Sequence, residues 1–425
     1  MMIKRYFWII LWITSIQVKA QTKPDVIVFG GSVAGASAAI QAARSGVKTL
    51  LLLPDSSLMS NPTLSLKVPA FNLGFWKEWN EAYQKAADST QTTPEKVLED
   101  LVKKTKNLSF LRATVPLSIE EKKNGWEVKV IINNKKADLK CKVLLDASSD
   151  YKNSPLFQNG IIDFDNEGHF QSLVNYNLAQ KTTPYAQTQL LYRTSGAAGF
   201  GKDSTLEYIP LGVFIPRDKP NVLIISDAAF KFFKKADLQN VALWTNMGQA
   251  VGALAAFGPF FDTTPAKANI RMTQGEVFTY KSFLYPVLDL AVTDSAFYPT
   301  QKIIASGLLK FDFKTGEFHP DEKVKIEDIK SILMELYPRS KIWFLEHKQE
   351  TDVKLANFIS LASFTTAKDP YYTQKEITTD WKSRYHFDTD FDEQHILSKK
   401  EFAILADRYL SPFNVNVDFN GYFLR

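Results

Sequence analysis

The sequence predicts an α/β protein, with a three-layer N-terminal domain built on a parallel sheet and an α-rich C-terminal domain. A β-branched run at residues 25–29 precedes a glycine turn, an alanine-rich helical stretch and a second apolar run at residues 49–53. This order of strand, turn, helix and strand is typical of a βαβ unit. From about residue 285, strand-like runs give way to helical spacing broken by prolines, which predicts a separate domain over residues 285–425.

Composition narrows the class of protein. The chain has 425 residues, of which 45% are hydrophobic and 23% charged, and this favours a globular protein over a disordered or multi-span membrane protein. Its formal net charge is +5, without a basic stripe interleaved with aromatic residues, so nucleic acid is a poor partner. A single cysteine, Cys141, excludes an internal disulfide framework and an iron–sulfur cluster.

The first twenty residues have the pattern of a secretory signal peptide. Positive charge at Lys4 and Arg5 precedes an apolar run at residues 6–16, and small residues surround a cleavage site before Gln21. As a helix the run would span about 17 Å, against about 30 Å of membrane hydrocarbon, which disfavours an anchor without excluding one. The pattern predicts a secreted or periplasmic protein with no membrane span after cleavage.

The glycine turn after the first strand predicts a phosphate site. Gly30 and Gly31 permit a tight turn, and Gly35 allows close packing of helix and strand. The N–H groups at the start of such a helix suit a pyrophosphate, so residues 21–280 are predicted to form a Rossmann-like FAD/NAD(P)-binding domain. Ser32 replaces the middle glycine, and Asp55 lies two positions beyond the expected acidic residue at Leu53. The alternative is a closely packed helix start that binds nothing.

On these residues the chain resembles the FAD-dependent oxidoreductases of the glutathione-reductase-like class, in particular a secreted bacterial group labelled xanthan-lyase-like. Three later segments, KVLLDASSD from residue 142, NVLIISDAAF from residue 221 and NMGQAVGALAA from residue 246, are similar to later parts of that family. The resemblance covers about residues 24–270 and implies FAD as cofactor. It implies contacts from Gly30, Gly31, Ser32, Ala34, Gly35, Asp55, Val115, Asp146, Ala147, Asp227, Gly248, Gln249 and Ala250.

Two expectations concern the flavin and substrate ends of this site. Gly248, Gln249 and Ala250 are expected to open a helix that points at the flavin, where N–H donors would stabilise the reduced ring. A closely packed core helix is the alternative for the same residues. Residues 151–220 are expected to form a small substrate-facing insertion.

The C-terminal region resembles S-layer-homology repeats. Residues 296–336 are similar to one repeat, and a weaker second copy ends in ILSKKEFAILADRYL. Contact with the cell envelope or a glycan is implied by this resemblance alone. The five histidines have no metal-ligand spacing, so no metal site is predicted, and no catalytic residue is assigned.

Three hypotheses for function remain. The first is a secreted FAD-dependent oxidoreductase that takes a hydride from a small or carbohydrate-like substrate. The second is a flavin-less binding or scaffold protein that retains the flavoprotein fold. The third, a nicotinamide-dependent dehydrogenase, is disfavoured because the later segments suit flavin better and soluble nicotinamide is scarce outside the cytoplasm.

Overall fold

A computed structural model describes the chain over most of its length. The described residues are 23–55, 57–59, 71–86, 92–148, 151–163, 171–174, 187–201, 205–225 and 241–424. The predicted signal peptide therefore lies outside them, as do Ser149 and Asp227. None of the described helices combines the length and apolar character needed to cross a membrane.

The strands form three sheets. In chain order they are β1 Val26–Phe29, β2 Thr49–Leu52, β3 Leu108–Leu111, β4 Ser118–Lys122, β5 Gly125–Ile132, β6 Lys135–Cys141, β7 Val143–Asp146, β8 Ser195–Phe200, β9 Leu206–Pro210 and β10 Val222–Ile224. A five-stranded parallel sheet has the order β10-β7-β1-β2-β3, while β4-β5-β6 and β8-β9 are antiparallel.

Twelve α-helices lie within the described residues. They are α1 Val33–Arg44, α2 Gly74–Ala86, α3 Pro94–Lys104, α4 Pro155–Gln158, α5 Val241–Phe260, α6 Ile270–Thr279, α7 Phe297–Ser306, α8 Ile326–Leu336, α9 Ser340–Glu346, α10 Leu355–Thr366, α11 Pro370–Ser383 and α12 Lys399–Tyr409. Six of them follow residue 285, so the C-terminal part is α-rich, as the sequence predicts.

The parallel sheet is the middle of three layers. Val26 and Val28 on β1 belong to the apolar core shared with α1 and α5, whereas Ile27 and Phe29 belong to a second core shared with β5. Alternate residues of a strand face opposite sides of the sheet, so a strand buried on both faces reads as a continuous apolar run. The predicted three-layer Rossmann-like fold is confirmed.

The C-terminal helices include a ring of three related segments. The N–H of Val324 donates to the carbonyl of Leu397 (3.0 Å), that of Leu397 to Val353 (2.9 Å), and that of Val353 back to Val324 (2.9 Å). A helix, respectively α8, α12 and α10, begins two residues after each. The two stretches compared above with S-layer-homology repeats contain Val324 and Leu397, and that resemblance stays a prediction. The segment at Val353 was not predicted, although Val-Lys-Leu there matches Val-Lys-Ile at 324–326.

The junction between the two parts is buried. Leu284 and Tyr285 are fully buried, and the Tyr285 hydroxyl donates to the carbonyl of Tyr192 (2.6 Å). The predicted domain boundary at residues 280–285 stays a prediction, but the chain crosses it without an exposed linker.

Candidate functional site

An open cleft lies at the carboxyl ends of four parallel strands. Its volume is about 210 Å³. It is lined by Phe29, Gly30, Gly31, Leu52, Pro54, Asp55, Thr114, Val115, Pro116, Ser148, Asn153, Pro155 and Gln158. Ligands of open α/β sheets bind at this edge, where strand ends and helix starts meet. Of the predicted cofactor residues, Gly30, Gly31, Asp55 and Val115 line the cleft.

Gly30 is required by the contact between two strands. Its φ is +118°, and a Cβ built there would lie 2.4 Å from the carbonyl oxygen of Ala147. Ala147 directly follows the end of β7, so β1 and β7 approach closely at the floor of the cleft. Gly30 therefore lets the chain turn into α1 without separating the strands.

Ser32 caps α1 and also ties it to β7. Its Oγ accepts a hydrogen bond from the N–H of Gly35 (3.0 Å) and donates to the carbonyl of Ala147 (2.8 Å). The hydroxyl thus occupies the Gly35 N–H, one of the donors that a phosphate could use. The N–H groups of Val33 and Ala34 have no acceptor among the described residues.

We expect Ser32→Gly to separate stability from phosphate binding. The variant loses the bond to Ala147 and the side-chain cap, which lowers the free energy of unfolding by about 0.5–1.5 kcal/mol. It also frees the Gly35 N–H, so affinity for FAD should rise by up to about fivefold. Urea denaturation and FAD titration measure the two effects.

Thr93→Gly is the control for this experiment, because Thr93 caps α3 in the same way through the Lys96 N–H (3.2 Å) and does not line the cleft. It should lower stability without changing affinity. A fall in affinity for Ser32→Gly would mean that the hydroxyl contacts the cofactor.

Asp55 and Val115 form the rim beyond β2 and β3. The carbonyl of Asp55 accepts from the N–H of Ala113 (3.3 Å), and the N–H of Thr114 donates to Leu53 (2.9 Å). These bonds hold the two chain segments side by side past the strand ends. Leu53, at the position where an acidic residue is expected, is fully buried. The exposed carboxylate of Asp55 is thus an acidic group in the wall, and its contact with a ribose stays a prediction.

Asp146 and Ala147 do not line the cleft. The carboxylate of Asp146 is fully buried and accepts from the Ser154 hydroxyl and from the Ser148 N–H (2.9 Å). Burial raises its pKa, and these hydrogen bonds oppose the rise. Since Ser154 caps α4, Asp146 supports the wall that α4 contributes. Asp146 was predicted to contact the cofactor; in the structure it instead binds Ser154 at the start of α4.

We expect Asp146→Asn to change the pH dependence of stability. A folded pKa above the unfolded value means that the contribution of Asp146 is fully present below about pH 4 and is lost as pH rises through the folded pKa. Asparagine does not ionise, so the variant does not lose this contribution as pH rises. Its free energy of unfolding should therefore increase relative to that of the wild type between pH 4 and pH 7. Urea denaturation at both pH values tests this. Asp138→Asn, on the exposed side of β6, should show no such gain.

The wall at α4 was missed from the sequence. Asn153, Pro155 and Gln158 line the cleft together with Val115 and Pro116. The local signal for a helix was present, because Ser154 followed by Pro155 is a favoured helix start. Nothing local indicated that this helix faces the glycine turn.

The predicted helix start at Gly248 is wrong. Residues Gly248, Gln249 and Ala250 lie inside α5, which begins at Val241. A Cβ on Gly248 would lie 2.5 Å from the carbonyl oxygen of Ala34, so this glycine allows α5 to cross closely over α1. Ala250 is fully buried. The alternative, a closely packed core helix, is the one observed.

Gln249 joins three helices. Its Oε1 accepts from the N–H of Phe75 (2.8 Å) near the start of α2, and its Nε2 donates to Gln41 on α1 (3.3 Å). Gln249 is buried and does not line the cleft. Its side chain accepts a hydrogen bond from the first turn of α2 and links α5 to α1.

Metal and thiol chemistry find no support among the described residues. No group of three or more His, Cys, Asp or Glu side chains is placed there to hold a metal ion. Cys141 is buried, which raises the pKa of its thiol. It is a small core residue.

Comparisons with known proteins agree with this description. Residues 25–151 match the profile of the family described as FAD dependent oxidoreductase. No curated protein sequence matches the chain. The family match confirms FAD as the predicted cofactor, since the matched segment contains both the glycine turn and β7.

Solved structures similar to the chain have low sequence identity to it. The p-nitrophenol 4-monooxygenase PnpA from Pseudomonas putida is 15% identical over 34% of this chain and 44% of its own, with a TM-score of 0.26. T. acidophilum thioredoxin reductase is 19% identical over 30% and 35%, with a TM-score of 0.19. OxyS anhydrotetracycline hydroxylase from Streptomyces rimosus is 14% identical over 61% and 70%, with a TM-score of 0.33. The chain spans less than half the length of the first two.

The described cleft and the start of α1, which follows the cleft-lining Gly31, offer groups suited to the adenosine diphosphate half of FAD. The N–H groups of Val33 and Ala34 stand at a helix start, where phosphates bind. The Asp55 carboxylate offers acceptors to ribose hydroxyls. Residues 60–70 and 226–240, which include the segment expected to cover the flavin ring and Asp227, lie outside the described residues.

Proposed function

We propose that this protein is an FAD-dependent oxidoreductase that takes a hydride from a small or carbohydrate-like substrate. The observation that carries the proposal is the cleft itself, which is lined by the glycine turn and has a carboxylate at its rim. Helix α1 begins two residues after the cleft-lining Gly31, and its Val33 and Ala34 N–H groups have no acceptor among the described residues. The family match over residues 25–151 supports the same reaction class.

The chain's own residues would bind and orient the cofactor. The first turn of α1 would hold the phosphates, Asp55 the ribose, and Val115 with Pro116 one face of the adenine. When bound, FAD would supply the acceptor for a hydride, that is, for two electrons and one proton. The Asp146–Ser154 pair would keep α4 in place against the opposite face of the adenosine.

The absorption spectrum of the purified protein tests the proposal. A flavin spectrum at close to one FAD per chain, bleached by anaerobic reduction, is the expected result. A colourless protein that cannot be reconstituted with FAD would contradict it.

A second function, a flavin-less binding protein, is favoured by one observation. The Ser32 hydroxyl accepts the hydrogen bond of the Gly35 N–H, which leaves fewer donors for a pyrophosphate. Under this alternative the cleft would bind a smaller adenine nucleotide with one phosphate. Titration with AMP and FAD in parallel distinguishes the two functions.

Export is part of the proposal. We expect the mature protein to begin at Gln21 in a secreted or periplasmic fraction, because a charged start, a short apolar run and Ala20 precede it. N-terminal sequencing of exported protein measures this, and recovery of an intact Met1 in membranes would contradict it. The C-terminal helical part would then contact the cell envelope or a glycan.

A further inference from the structure

A lysine lies shortly before every strand of the parallel sheet. These lysines are Lys23, Lys48, Lys106, Lys142 and Lys219, which precede β1, β2, β3, β7 and β10 respectively. Parallel strands all begin at one edge of their sheet, so the five lysines share the amino edge. This amino edge is opposite the cleft, which lies at the carboxyl ends.

Acids at this edge balance part of the lysine charge. Lys142 pairs with Asp262 (2.8 Å) and Lys219 with Glu121 (3.0 Å). Lys23, Lys48 and Lys106 are exposed and have no carboxylate within 4 Å among the described residues. Asp25, directly before β1, lies at the same edge and accepts from the Lys48 N–H (3.0 Å), so the edge carries three lysines without a paired carboxylate among the described residues.

Two exposed aromatic rings stand at the same edge. Phe260 and Phe261, at the end of α5, are 63% and 46% exposed, and their ring centroids lie 5.0 Å apart. The Phe260 ring lies about 3.7 Å from where a Cβ on Gly46 would be, in the turn that leads into β2. Met272, 49% exposed, lines the apolar groove of about 140 Å³ beside these rings.

We propose that the amino edge docks on an anionic lipid surface, with Phe260 and Phe261 entering the interfacial region and the lysines facing lipid phosphates. Paired exposed aromatics among lysines suit a bilayer interface, where rings bury apolar area and cations meet anionic headgroups. Docking here turns the cleft away from the membrane toward dissolved substrate.

A local fluorescent probe tests the proposal on the exported protein. Met272→Cys carries an environment-sensitive dye at the edge, and Cys141 is buried, so the dye reacts at the new site. With phosphatidylcholine vesicles containing about one third phosphatidylglycerol, emission should shift to the blue, and less so at high salt. A dye at Asp390→Cys, 99% exposed in the C-terminal part, should not respond.

Paired variants separate docking from other causes of binding. Phe260→Ser with Phe261→Ser should weaken vesicle binding by about tenfold or more, and Lys48→Glu with Lys106→Glu should do the same at low salt. The matched control is Tyr371→Ser with Tyr372→Ser, an exposed aromatic pair on α11 with centroids 5.5 Å apart, which should change nothing.

Three outcomes would overturn the proposal. One is no emission change at Met272→Cys while the protein still sediments with vesicles, which would mean that another segment holds it. The second is equal binding to vesicles of phosphatidylcholine alone. The third is an affinity for heparin that equals the affinity for vesicles and is unchanged by the Phe260→Ser and Phe261→Ser substitutions. A soluble polyanion would then be the partner.

Discussion

Replacing Gly30 by alanine should abolish FAD binding and lower the free energy of unfolding by about 3–5 kcal/mol. At φ = +118° an L side chain costs about 1–3 kcal/mol in backbone strain. The added Cβ would also lie 2.4 Å from the Ala147 carbonyl oxygen and 2.8 Å from the Ser148 nitrogen, so the turn and the end of β7 must separate. The floor of the cleft lies between them, which is why stability and binding should fall together.

Gly275→Ala is the matched control. Gly275 lies within α6, its Cβ would meet nothing within 4 Å, and it has no positive φ. Alanine there should stabilise the protein by about 0.5–1 kcal/mol and leave FAD affinity unchanged. Urea denaturation and FAD titration on both variants measure this. Wild-type affinity in Gly30→Ala would show that the cleft is not the cofactor site.

Replacing Arg271 by methionine should lower the free energy of unfolding by about 3–5 kcal/mol. The buried guanidinium donates to the carbonyls of Arg193 (3.0 Å), Ala305 (3.0 Å) and Val415 (3.2 Å), and burial lowers its pKa to about 10. Methionine fills similar volume but leaves these acceptors short of donors. Because the acceptors come from both parts of the chain, the loss should loosen their junction.

Arg384→Met is the control for the arginine. Arg384 is 57% exposed, and its pairing with Asp380 (3.5 Å) is of the surface type, worth less than about 1 kcal/mol. Denaturation followed by tryptophan fluorescence and circular dichroism compares the variants. A near-wild-type Arg271→Met would contradict the assigned role. Two separated transitions would support the predicted division near residue 285, and one shared transition would count against it.

The part of the fold that is local in sequence was predictable. β1, α1 and β2 follow one another within thirty residues, and their apolar runs and glycine turn specify each element. The helix start at Gly248 was predicted wrongly because a glycine followed by small residues is equally suited to a helix start and to a helix crossing. Only the position of Ala34, more than two hundred residues earlier, distinguishes the two.

The cleft was predictable in its glycine turn and in Asp55 and Val115, but not in its opposite wall. Two residues of α4, Pro155 and Gln158, line the cleft, and the Ser154 hydroxyl that caps α4 donates a hydrogen bond to Asp146. Nothing near Ser154 in the sequence indicates this hydrogen bond. The two hydrogen bonds of Ser32 were equally hidden, since one of them joins it to Ala147, 115 residues away. Pairings of this kind arise from the folded sheet.

The central claim is that the adenosine diphosphate half of FAD binds in the cleft at the carboxyl ends of the parallel strands. Calorimetric titration of flavin-free protein with FAD, repeated in excess ADP and compared with FMN, tests it most directly. We expect FAD to bind at one per chain, ADP to compete, and FMN, which lacks the adenosine, to bind far more weakly. FMN binding as tightly as FAD, with ADP failing to compete, would contradict the claim.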